Sequence, residues 1–79
     1  MPTSMSPEDR LVSLLSHWLA GHLDSAELRA GIDDAGRDGL SGEQTEAVDE
    51  LVAAIDRNPS GRGDLERIAR ETLEALALG

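Results

Sequence analysis

The chain has no cysteine, phenylalanine or tyrosine, and Trp18 is the only aromatic among its 79 residues. Without cysteine there is neither a disulfide framework nor a thiolate zinc site. Without phenylalanine and tyrosine, the core must be Leu, Val, Ile and Ala around one indole. Scarcity of aromatic and β-branched residues, with plentiful Ala, Leu, Glu and Arg, favours helix over sheet. No apolar run approaches the roughly 20 residues that span a bilayer. The opening "MPTSMSPEDR" lacks both a basic stretch and an apolar segment, so it does not read as a signal peptide. A cytoplasmic, soluble protein is the expectation from these absences.

Positive charge is also scarce. Seven basic side chains face sixteen acidic ones, a net charge of −9. This disfavours nucleic acid, because every phosphate contact needs a cation to displace counterions. Adsorption to anionic lipid is disfavoured for the same reason. A basic protein partner would instead be attracted and steered. A single domain of this length buries roughly 60% of its unfolded surface and is stable by only a few kcal/mol.

Punctuation divides the chain into four helices. Residues 1–5 read as a loose leader, with Met5 a second candidate start, and 6–79 as one helical domain. Ser6 caps the first helix, Pro7 suits its first position, and Glu8 and Asp9 meet the positive end of its dipole. Leu11, Leu14, Leu15, Trp18 and Leu19 recur at helical spacing until Gly21 stops it. In "LDSAEL", Asp24 and Glu27 form a capping box, with Leu23 and Leu28 as the hydrophobic staple. That second helix is expected to be short, about three turns, its thin stripe broken by Gly31 and Gly36. "LSGEQ" repeats the device, with Ser41 as cap and Gln44 as its reciprocal partner. The third helix should run to about Arg57 and end at Asn58-Pro59. After a flexible "NPSGRG" loop, Asp64 is the expected cap of a fourth helix carrying Leu65, Ile68, Ala69, Leu73 and Leu76. Short connections imply antiparallel neighbours. The predicted architecture is an all-α, small antiparallel four-helix bundle with a short second helix.

Charge is unevenly spread along this plan. Residues 30–58 hold eight acids against two arginines, so most of the excess lies mid-chain. On a wheel of the third helix, Ala47, Val48, Leu51, Val52, Ala54 and Ile55 fall on one side. Glu43, Glu46, Asp49, Glu50 and Asp56 fall on the other, with like charges at i,i+3 and i,i+4 spacing that each cost a few tenths of a kcal/mol. The fourth helix instead offers the opposite-charge pairs Glu66–Arg70, Arg67–Glu71 and Arg70–Glu74. That contrast suggests a third-helix face kept negative for something outside the domain; the alternative is that Arg29, Arg37, Arg62 or another arginine folds over it.

Motifs of chemistry are weak. His17 and His22 are off the i,i+4 spacing of paired ligands, so no metal site is expected. "DDAGRDG", residues 33 to 39, reads as a loop lacking the alternation and distal Glu of a calcium site. "RGD" at Arg62 to Asp64 reads as loop plus cap. No catalytic triad, glycine-rich phosphate loop or paired buried carboxylates can be found, which predicts a protein that is not an enzyme and needs no cofactor. Asp24-Ser25 matches the phosphopantetheine site of acyl carrier proteins, but those have a long first loop and Leu or Met where Ala26 stands.

Two blocks, "WLAGHLDSAELRAGI" (18–32) and "AVDELVAAIDRNPSGRGDLERIARETLEAL" (47–76), give the chain a layout that resembles the bacterial self-protective colicin-like immunity proteins of the colicin D type. The resemblance implies an antiparallel four-helix bundle that inhibits a cognate ribonuclease toxin, its acidic surface filling the toxin's basic, tRNA-binding cleft. The expected partner-binding residues are Glu43, Glu46, Asp49, Glu50 and Asp56, with Asp33, Asp34 and Asp38 nearby. The competing class is a general interaction or regulatory module, monomeric or homodimeric.

Overall fold

Each helix begins where its capping chemistry places it. The computed structural model describes residues 6–78, and the expected leader lies outside them. Helix α1, Pro7–Leu19, starts with the Asp9 N–H donating to Ser6 Oγ at 3.2 Å. It closes in a Schellman turn: Gly21, at φ +87°, donates to the Trp18 carbonyl and His22 to that of His17. Helix α2, Ser25–Ala35, opens on the predicted capping box, Glu27 N–H to Asp24 at 2.7 Å and Asp24 N–H to Glu27 at 3.2 Å. Helix α3, Gly42–Arg57, has the second box, with Ser41 and Gln44 exchanging bonds of 2.9 and 3.2 Å.

Helix α4, Arg62–Leu78, departs from expectation at its start. Asp64 is not the cap; it lies in the first turn, and the Leu65 N–H donates to the Gly61 carbonyl at 3.0 Å. The preceding loop is therefore shorter than predicted. Arg62 opens the helix instead. Its Nη2 donates to the Trp18 carbonyl at 2.6 Å, and its guanidinium carbon lies 4.3 Å from the Trp18 ring centroid. A carbonyl at the negative end of α1 is thus met by a cation at the first position of α4.

The four helices form an antiparallel ring. α1 lies against α2 and α4, and α3 against α4 and α2. The α3–α4 contact is the most extensive and the α2–α3 contact the thinnest. Leu11, Leu15, Trp18, Leu28, Ile32, Val48, Leu51, Ile55, Leu65 and Leu76 fill the centre. Fully burying such a side chain contributes about 1.5–3 kcal/mol. Gly31, expected only to weaken α2, lets α1 approach: a Cβ there would sit 2.7 Å from Leu14 Cδ2.

Two polar residues belong to this core without having been expected there. Gln44 is 2% exposed; its Nε2 donates to the Leu76 carbonyl at 3.0 Å and to Glu8 at 3.2 Å, tying α1, α3 and α4 at one end. Thr72 is 1% exposed and satisfies its hydroxyl on the Ile68 carbonyl one turn back, at 2.8 Å. The Trp18 indole N–H, also buried, has no acceptor among the described residues. None of the described helices is long and apolar enough to cross a membrane.

Candidate acidic binding face

Helix α3 can be divided by what each flank meets. Gln44, Val48, Leu51 and Ile55 point inward and are buried. At 100° per residue, Asp49 and Asp56 then fall on the flank beside α2. Glu46 points outward, and Glu43 and Glu50 fall toward α4.

The flank beside α2 is neutralised from within the chain. Arg37 Nε, in the connection after α2, donates to Asp49 at 2.7 Å. Arg29 Nε, on α2, donates to Asp56 at 3.2 Å. The same guanidinium packs its Nη1 against Asp33, close enough for an ion pair though off the hydrogen-bond line. Contact with Asp33 and then Asp56 pushes the Arg29 pKa above its ordinary value, so it stays cationic. Asp33, Asp49 and Asp56 are therefore not unneutralised carboxylates, contrary to the expectation for this face.

Five of the eight expected site residues remain exposed and outside every ion pair formed among the described residues: Glu43, Glu46, Glu50, Asp34 and Asp38. They do not form one patch. Asp34 lines a shallow groove between α1 and α2 with Arg10, Ser13 and Leu14, away from α3. Asp38 stands in the turn before α3. The structure brings together only Glu43, Glu46 and Glu50, which rise about 10 Å along one side of α3 at 1.5 Å per residue. Arg57, at the end of that side, bounds the row.

Helix α4 also differs from its expected charge pattern. The ion pairs that form there are Arg62–Glu66 at 3.1 Å and Arg67–Asp64 at 4.0 Å, instead of Glu66–Arg70, Arg67–Glu71 and Arg70–Glu74. Arg62 faces α1 to reach Trp18, and Glu66 follows it. The difference between α3 and α4 is therefore smaller than spacing alone implies.

Other motifs keep structural explanations. The rings of His17 and His22 lie edge to face, 6.2 Å apart, because the Schellman turn folds one back beside the other. Among the described residues no three His, Cys, Asp or Glu side chains are placed to hold a metal ion. Asp33, Asp34 and Ala35, read as part of a loop, are the last turn of α2. Asp24 is engaged in its capping box, and only Ala20–Asp24 separate α1 from α2. Arg29 and Arg37, named among the arginines able to fold over the acidic face, do so only on its α2 flank, whereas Arg62 goes to Trp18 and Glu66. Compared with family models, with curated proteins and with solved structures, the chain matches none.

Proposed function

We propose that the chain is an acidic helical binding protein that presents Glu43, Glu46 and Glu50 to a basic surface on another protein. Within that class, its proposed role is that of an immunity protein: a bacterial, cytoplasmic inhibitor of a ribonuclease-type toxin. One observation carries it. Where α3 meets α2, its carboxylates are matched by arginines at 2.7 and 3.2 Å, whereas its outward glutamates stay in solvent at mutually repelling spacing. A row of carboxylates about 10 Å long is a stand-in for consecutive phosphates. It would attract the Lys and Arg of a nuclease cleft, speed association and keep RNA out. No bond is made or broken by the chain in this role.

The homodimer alternative would need apolar surface. Leu78, at 89% exposure, is the large apolar side chain left most open among the described residues. One such residue falls short of the roughly 800 Å² per partner of a standard interface. The inhibitor role is tested by asking whether a gene beside this chain's encodes a basic ribonuclease and assaying that protein's activity; a neighbourhood without one would count against the role. The native chain should suppress cleavage at equimolar ratio, and Glu46→Lys with Glu50→Lys should not. Equal suppression by both would rule the glutamate row out.

A further inference from the structure

The α2–α3 seam is built differently from the other joints of the ring. It has the thinnest packing. An open cleft of about 500 Å³ runs along it, walled by Ala26, Arg29 and Ala30 on one side and Ile55, Asp56 and Pro59 on the other. What spans the seam is charge: Arg29 to Asp56 near the start of α2, and Arg37 to Asp49 just past its end. The joints of α4 are tied through backbone carbonyls instead, by Thr72 and Gln44 to α3 and by Arg62 to the Trp18 carbonyl of α1. Glycine turns flank helix α2 at both ends. Gly21 precedes it at φ +87°, and Gly36 and Gly39 follow at φ +74° and +83°, where other residues would be strained.

We infer that α2 is an ion-latched flap on α3, with Arg29 and Arg37 as the latch. When the two pairs are lost, the seam opens ahead of the rest of the bundle, and α2 stays on α1, its more extensive neighbour. Opening uncovers Ile55 and frees Asp49 and Asp56, so that all five α3 carboxylates face outward. The arginines thus occupy the place that cations of another molecule would take. This holds whether or not the proposed inhibitor role is correct, because it concerns the chain alone.

Salt separates the latch from the whole. Screening relieves self-repulsion of a chain at net −9, which steadies the bundle, yet the same screening weakens the pairs that hold α2. Amide hydrogen exchange of the full chain, followed by mass spectrometry, reads both. Arg29→Gln with Arg37→Gln should speed exchange across residues 25–35 about tenfold, roughly threefold for each exposed pair, and leave α3 and α4 unchanged. The swap Arg37→Asp with Asp49→Arg should retain the native α2 rate. In the native chain, 1 M salt should speed α2 while slowing α3 and α4. Unchanged α2 exchange in the double variant, or salt moving all four helices in the same direction, would overturn the latch.

Discussion

Glu46 and Asp49 stand three residues apart on α3, and both are exposed, yet they meet opposite surroundings. Asp49 lies on the flank beside α2, where Arg37 reaches it at 2.7 Å. Glu46 lies about 60° further round the helix, where no arginine of the described chain reaches it. The same holds for Asp56 against Glu50. Acidity of a segment therefore says little about which charges are free; the neighbouring helix decides. On α3 the short aspartates face α2 and the connection after it, which supply Arg29 and Arg37, and the longer glutamates stay in solvent.

The largest effect should come from the buried flank, which holds α3 in place irrespective of charge. Leu51→Ala should lower unfolding free energy by about 2–5 kcal/mol in a urea titration, because Leu51 is fully buried. Gln44→Ala comes next. It strips the Leu76 carbonyl, Glu8 and the Ser41 N–H of their shared partner, for about 1–3 kcal/mol in the same measurement.

Smaller changes test the two charged flanks against each other. Arg37→Gln should destabilise by about 0.2–1 kcal/mol, since it leaves Asp49 unpaired at the surface. Glu46→Gln should act in the opposite sense and stabilise by about 0.2–0.5 kcal/mol, because it relieves repulsion from Glu43 and Glu50. Thermal melts of the two single variants side by side resolve the sign. If Glu46→Gln lowered the melting temperature, the outer glutamates would be engaged within the chain after all, and the division of α3 would fail.

Helix identity was legible because local chemistry determines it. Ser6, Asp24 with Glu27, and Ser41 with Gln44 mark starts that the backbone obeys, and apolar spacing names most of the core. Contacts distant in sequence were not legible. Nothing local shows that Gln44, chosen as a capping residue, also reaches Leu76 thirty-two residues on. Nor does spacing reveal that Arg62, which opens α4 ahead of Asp64, will dock on Trp18 forty-four residues earlier. The site was half legible: the sequence names Arg29 and Arg37 among the arginines able to fold over α3, but not that they take Asp56 and Asp49, 27 and 12 residues away, and leave the glutamates open. Glu43, Glu46 and Glu50 survive as the candidate face because no such distant partner arrives.

The most direct test is a calorimetric titration of this chain into the proposed kind of partner, a basic ribonuclease domain sought among the proteins encoded beside it. With Glu46→Lys and Glu50→Lys together, affinity should fall on the order of a hundredfold or more, while helix content stays native and the melting temperature does not fall. Identical affinity for the native and reversed chains would contradict an outward carboxylate row as the contact.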